Sequence, residues 1–206
     1  MKILLTGGSG LLGSQLVSLL KDHTVDAPTH AEMDICKELI PRSCDLIIHC
    51  AAYKDVIKAE TNKKECSRVN IGGTLNLLTT YADIPFVFIS SEYAKNPLNH
   101  YAETKAIGES LTKLYARSYL IIRTVFKPNP FPWDRAFIDQ YTQGDYIDVI
   151  APLIVKAIMK WDLTSETIYV GTGRKTIFEL AQRTRPAVQP CSIEDIKEAV
   201  LPHDYL

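Results

Sequence analysis

The chain has 206 residues, enough for one sizeable core with a small appendage. Its 23 Lys and Arg nearly balance its 24 Asp and Glu, and neither sign clusters, so nothing marks a nucleic-acid or membrane-surface protein. No apolar run approaches the roughly 20 residues that span a bilayer. Residues 1–20 lack a basic segment followed by a cleavage site, and the five cysteines (36, 44, 50, 66 and 191) form no CxxC or metal-ligand spacing. The expectation is a cytoplasmic protein with reduced thiols and no bound metal.

The run Ile3 to Leu5 reads as a strand. It leads into glycines at 7, 10 and 13, and Leu12, Leu16, Leu19 and Leu20 then recur at helical spacing. Gly7 allows a tight turn, Gly10 lets backbone approach a pyrophosphate, and Gly13 lets the helix pack on the strand. An anion would rest on the helix N-terminus, where free N–H groups and the dipole favour negative charge. The bland alternative is a tight strand-to-helix turn. The strand and helix on either side favour a dinucleotide site.

Thr24–Asp26 is a short second strand, and 45–52 is an apolar run suited to a strand covered on both faces. Residues 62–82 read as one long helix, 85–91 as a strand, 100–116 as a helix and 118–123 as a strand. This alternation predicts an α/β fold, a Rossmann-type doubly wound parallel sheet with ligands at the carboxyl ends of its strands. The pattern thins after Arg123, where 127–132 is proline-rich. Residues 1–125 are expected to form a nucleotide-binding domain. Residues 126–206 are expected to form a small C-terminal substrate-binding part, interleaved with the first. There, 151–160 and 177–183 look helical, 167–170 looks like a strand, and Ser192–Asp195 resembles a capping box.

Tyr101 and Lys105 are four apart on a helix and share a face. A nearby cation stabilises phenolate, so such a Tyr can exchange a proton with a carbonyl or alcohol oxygen. A surface Tyr/Lys pair is the structural alternative. Ser90 and Ser91 end the preceding strand, where a hydroxyl can bond a reacting oxygen or cap the strand. Asp26 ends the second strand, where a carboxylate can accept from an adenosine 2′-hydroxyl, or remain a solvated turn residue. With no Arg close in sequence, Asp26 slightly favours NAD over NADP; His30 and Lys37 leave the choice open. Cys50 reads as buried filler, and His49 as a hydrogen-bonded structural residue.

Together these motifs resemble the extended short-chain dehydrogenase/reductases, and most of all the dTDP-4-dehydrorhamnose reductases among them. Thr6–Gly13 matches the cofactor turn and Met33-Asp34-Ile35 the LDI segment. His49–Tyr53 with Val56–Glu60 resembles NAAAYT-VDKAE, and Val69–Leu78 resembles VN-GT-NLL. Ile89–Tyr93 resembles ISTDY, Pro97–Glu109 resembles PLNVYGxSKLAGE, and Leu120–Thr124 resembles LIIRT. The match covers about residues 1–125.

The resemblance implies a catalytic Ser91–Tyr101–Lys105 triad, with Ser91 and Glu92 also meeting substrate. Gly7, Gly10, Leu11, Leu12 and Gly13 would hold the pyrophosphate, with Asp26 at the adenosine ribose. Asp34 and Ile35 would flank the adenine. Ala51, Ala52 and Tyr53 would line the way to the nicotinamide, and Tyr101 and Lys105 would also contact the cofactor. It further implies NAD(H) or NADP(H), a nucleotide-sugar substrate, a role in dTDP-rhamnose biosynthesis and a homodimer. The dimer would form through the helices at 62–82 and 101–117, with Leu78, Leu111 and Tyr115 as interface or core residues.

Three departures concern the substrate. Ser91 and Tyr101 are only ten apart, where the family has a longer insertion. The C-terminal part is short, and in Tyr146–Ala151 Val149 replaces an acidic residue. Three functions stay open: a reductase of a 4-keto-6-deoxy nucleotide sugar, an epimerase or dehydratase on the same triad, and a non-catalytic NAD(P)-binding regulatory subunit. A dehydratase would want an Asp-Glu pair after the strand-end hydroxyl, and only Glu92 follows Ser91.

Overall fold

A computed structural model describes residues 1–204. In chain order, β1 (Lys2–Thr6), α1 (Leu11–Leu19), β2 (Thr24–Asp26) and β3 (Leu46–His49) come first. Then follow α2 (Val56–Thr61), α3 (Lys63–Ser67), a π-helical turn (Arg68–Gly73) and α4 (Thr74–Thr80). β4 (Phe86–Ser91), a 3-10 turn (Glu92–Lys95), α5 (His100–Tyr115) and β5 (Tyr119–Thr124) complete the first half. The remainder holds β6 (Phe126–Lys127), β7 (Arg135–Phe137), β8 (Tyr141–Thr142), β9 (Asp145–Tyr146) and α6 (Ile147–Lys160). It ends with β10 (Glu166–Tyr169), β11 (Lys175–Thr176), α7 (Ile177–Gln182), β12 (Gln189–Cys191) and a 3-10 turn at Ile193–Asp195.

Six strands form one parallel sheet in the order β10-β5-β4-β3-β1-β2. The expected doubly wound α/β fold is therefore present. The order reverses between β1 and β3, the switch point where such sheets open a crevice. Strand side chains alternate between two buried layers. Ile3, Leu5, Val87, Ile89, Leu120 and Ile122 enter the layer with α1 and α6; Leu4, Phe86, Phe88 and Ile121 enter the other. Burial on both faces accounts for the near-continuous apolar strands. Among the described residues, no helix is long and apolar enough to cross a membrane.

The residues beyond 125 return to this body as well as building on it. α6 lies in the first layer, and β10 pairs with β5. A separate small core gathers Phe131, Tyr146, Ile177, Leu180 and Val188. Buried Asp145 anchors it, with Lys175 at 3.4 Å and Arg183 at 3.2 Å.

The helix expected over 62–82 is present as an uninterrupted helical run from Lys63 to Thr80 with a π turn in its middle, and a separate short helix, α2, precedes it. Asn62 caps α2 through Lys58 O, and the chain widens to π geometry at Gly72-Gly73, where helix propensity is lowest. A Cβ on Gly73 would lie 2.6 Å from Ile35 Cδ1, so the glycine makes room for that side chain. The helix expected from 151 begins at Ile147, with Pro152 inside it. The two- and three-residue ladders β6/β9, β7/β12 and β8/β11 are too short to leave an alternating signature. The capping box at Ser192 is present and opens the last 3-10 turn.

One buried carboxylate keys α5 to the sheet. Glu109 accepts from Ser90 Oγ (2.6 Å), Arg123 Nε (2.8 Å) and Arg123 Nη2 (2.7 Å). Glu109→Ala leaves a mostly covered guanidinium unpaired. It should destabilise the chain by about 3 kcal/mol in urea unfolding, with Tyr101 and Lys105 displaced along with α5.

Candidate active site

The turn after β1 is built as a cradle. Gly7 has φ +74°, and a Cβ there would stand 2.6 Å from Ala51 N. A Cβ on Gly13 would collide with Gly7, whereas one on Gly10 would meet only Gly7 O, at 3.1 Å. Gly10 caps α1 without a side-chain hydrogen bond, and the first turn carries no acidic residue. The N–H groups of that turn are thus presented to an anion. Leu12 is packed in the core, so only its main chain can serve; Leu11 is exposed. Beside this turn, Thr6, Gly7, Ser9, Pro28, His30, Met33, Ile35 and Ala51 line a cleft at the β1/β3 switch point. A shape of bare backbone, helix N–H groups and apolar walls fits a dinucleotide. Of the other lining residues, Thr6, Ser9 and Met33 lay inside the motifs read from the sequence without being named as cofactor contacts, His30 was weighed only for the choice between NAD and NADP, and Pro28 was missed.

The predicted cofactor residues separate in the structure. Gly7, Ile35 and Ala51 line the cleft. Asp34 turns back on the main chain, where Cys36 N–H donates to it at 3.0 Å and holds its carboxyl below the usual range. Tyr53 is fixed through its main chain: its N–H donates to Asn70 Oδ1 (2.7 Å), and its carbonyl accepts from Asn70 Nδ2 (3.1 Å). Asn70 also donates to Thr104 of α5 (2.9 Å), so the π turn ties Tyr53, beyond Ala52, to the helix of Tyr101.

Asp26 is not among the cleft-lining residues. It is held by Arg42 Nη1, at 3.1 and 3.0 Å from its two oxygens. The expectation that no Arg lies near is corrected: folding brings Arg42 across sixteen residues and neutralises the carboxylate. The argument for NAD over NADP loses its basis.

His49 has the structural role expected of it. Thr74 Oγ1 donates to Asn70 O (2.7 Å), so it accepts from His49 Nε2–H (3.0 Å). His49 Nδ1 is then left to accept from Thr6 Oγ1, at 2.7 Å. Complete burial, aided by the Lys105 cation, pushes this imidazole down to about 3. Burial also raises the Cys50 thiol to about 12, so it is no nucleophile.

Ser91, Tyr101 and Lys105 come together where β4 ends and α5 begins. Asn99 caps α5 by accepting from Ala102 N (2.9 Å), which puts Tyr101 in the first turn. Ser91 Oγ accepts from Tyr93 N–H (3.2 Å), and the Ser91 side chain lies close enough to the Tyr101 phenol to favour its ionised form. Lys105 Nζ donates to Ile89 O (2.7 Å) and stands 4.3 Å from the Phe88 ring centroid. Burial brings this ammonium down to about 8. Burial also pushes the phenol of Tyr101 up, and the Ser91 side chain offsets part of that rise. The expected lowering of the phenol by Lys105 is therefore not seen, because a buried ammonium takes the nearest carbonyl.

Glu92, expected to meet substrate, is an internal tie. Its oxygens accept from Thr142 Oγ1 (2.9 Å) and Gln143 N–H (3.3 Å), and burial raises it to about 7. Thr124, beside Ser91 in strand register, has a buried hydroxyl with no hydrogen-bond partner among the described residues.

A switch-point cleft, a glycine turn and a Ser/Tyr/Lys cluster define a Rossmann-type α/β protein with a dinucleotide-shaped cradle. The chain belongs to the RmlD substrate binding domain family, whose model matches residues 1–152. It is 28% identical over 198 residues to a dTDP-4-dehydrorhamnose reductase of Mycolicibacterium smegmatis, covering 84% of this chain and 61% of that one. The chain spans between about half and three fifths of the length of the first curated relatives it matches. Among solved structures, a Clostridium acetobutylicum dTDP-4-dehydrorhamnose reductase superposes with TM-score 0.86 at 22% identity, over 100% of this chain and 89% of its own. The Bacillus anthracis enzyme in complex with NADP superposes with TM-score 0.84 at 23% identity, over 99% and 89%.

The depressed imidazole makes a pH prediction. Unfolded His titrates near 6.5, so between 6.5 and about 3 the folded chain binds fewer protons at His49. Its contribution is complete above 6.5 and is lost as pH falls. Between pH 7.5 and 5.5, urea unfolding of the wild type should lose about 1 kcal/mol more than that of His49→Asn.

Proposed function

We propose that this chain is an NAD(P)H-dependent reductase of a nucleotide-linked 4-keto-6-deoxy sugar. The placement of Ser91 at the end of β4 against the buried phenol of Tyr101 in the first turn of α5 carries the reading, with Lys105 one turn along the same helix face in a chain of this family. The switch-point cleft would hold the dinucleotide, with Gly7, Gly10 and Gly13 admitting the pyrophosphate and Ile35 and Ala51 as apolar walls. Bound there, a reduced nicotinamide supplies the hydride. Tyr101 protonates the oxygen that becomes the alcohol. The Ser91 hydroxyl, with its oxygen already accepting from Tyr93, orients that oxygen. Lys105, its ammonium held by the Ile89 carbonyl, would contact the cofactor rather than the phenol. Glu92 is the single carboxylate after Ser91, and its bonds to Thr142 and Gln143 disfavour a dehydratase.

The same reading makes residues 126–206 a reduced substrate-binding part and the protein cytoplasmic and homodimeric. Ile107, Leu114 and Tyr115 on α5 are exposed and offer a dimer face. Leu78 is buried in the core and does not.

Tyr101→Phe should lower kcat/KM at least about a hundredfold, followed as NADH or NADPH oxidation with dTDP-4-keto-6-deoxyglucose. Absence of wild-type turnover, with NADPH still bound in calorimetry, overturns the reductase reading for this sugar. Because Arg42 neutralises Asp26, both cofactors are expected to serve. Asp26→Asn should change the NADH/NADPH affinity ratio by no more than about fivefold, the equivalent of 1 kcal/mol.

A further inference from the structure

The loop after β6 carries a cation and an aromatic ring with no internal task. Lys127 Nζ stands 5.5 Å from the Trp133 ring centroid. Among the described residues, it makes no hydrogen bond and no ion pair. Glu92 is the carboxylate that acts on it electrostatically, and both Glu92 oxygens are engaged by Thr142 and Gln143. The side chain is partly covered, so its ammonium lacks full hydration as well as a partner.

Trp133 is 51% exposed although its loop is well held. Phe131 is buried and meets the indole edge-on at 5.1 Å. Asn129 Nδ2 donates to Asp148 (2.9 Å), Phe131 N–H to Thr184 Oγ1 (3.0 Å), and Arg185 to Pro132 O (3.4 Å). Asp134, the carboxylate next to the indole, is paired with Arg185. The orphan hydroxyl of Thr124 lies on the same segment, three residues before Lys127 and beside Ser91. A lone ammonium and a rigidly mounted open indole thus follow, on one segment, the residue paired with Ser91, and the ammonium feels the charge of Glu92, the residue after Ser91.

We propose that Lys127 and Trp133 form the subsite for the nucleoside diphosphate of the substrate, the ammonium taking the diphosphate and the indole packing on the base. This rests on the nucleotide-sugar reading and adds the residues that recognise the nucleotide. The dinucleotide cofactor also carries a diphosphate, so the test separates the two.

The full chain would be titrated calorimetrically with dTDP, thymidine and NADPH, as wild type and as Lys127→Ala, Lys127→Arg and Trp133→Ala. Thermal melts would confirm folding. Expected are a loss of dTDP affinity of tenfold or more in Lys127→Ala, recovery in Lys127→Arg, and weakening of both dTDP and thymidine in Trp133→Ala. Lys127→Ala should leave thymidine unchanged, and NADPH affinity should be the same in all variants. Wild-type dTDP affinity in folded Lys127→Ala and Trp133→Ala, no dTDP binding by the wild type, or a matching loss of NADPH affinity would each overturn the subsite. Lys127-dependent dTDP binding without turnover of the keto sugar would sink the reductase reading and leave the subsite standing. Turnover with KM unchanged in Lys127→Ala would do the reverse.

Discussion

The proposed chemistry depends on how α5 is held against the sheet, and a buried carboxylate does much of that holding. Glu109 gathers a hydroxyl from β4 and a two-point guanidinium from β5. Charge-assisted, geometrically fixed bonds of this kind specify orientation as well as energy. Lys105, one turn back, adds its bond to the Ile89 carbonyl. A Cβ on Gly108 would stand 2.6 Å from the Phe88 ring, so the helix packs close to β4 there. With these contacts set, Tyr101 has little freedom to miss Ser91.

A second polar network braces the cofactor side. Thr6 at the end of β1, His49 at the end of β3 and Thr74 after the π turn form one hydrogen-bonded chain ending on the Asn70 carbonyl. Each member is both donor and acceptor, so the chain is satisfied only with a neutral imidazole. That arrangement is affordable in a dry interior, whereas an imidazolium there would be desolvated without a counter-charge. The Asn70 side chain extends the network to Tyr53 and Thr104. The glycine cradle and the Ser/Tyr/Lys cluster are therefore parts of one braced surface.

The C-terminal part has few long elements and relies on buried charge. Asp145 is penalised by burial, but the Tyr146 N–H, the Thr172 hydroxyl, Lys175 and Arg183 hold it ionised and below its ordinary range. Glu92 reaches across from the end of β4 to Thr142 and Gln143, linking this part to the strand that carries Ser91.

Much of this was legible in the sequence. Near-continuous apolar runs, three glycines after the first strand and helical spacing of leucines specify their own local geometry, so the sheet, the cradle and the helix of Tyr101 and Lys105 could be read directly. The Ser91–Tyr101 proximity could be expected because strand-end and helix-start lie ten residues apart. What the sequence by itself did not determine is set by contacts between distant residues. Arg42 reaches Asp26, Thr142 reaches Glu92, and the Ile89 carbonyl takes the Lys105 ammonium that local spacing assigned to Tyr101. A charged or hydroxyl side chain in a dry interior bonds whatever partner folding brings within about 3 Å. Local sequence determines where such a group sits on its element, and only the tertiary structure decides which partner it meets.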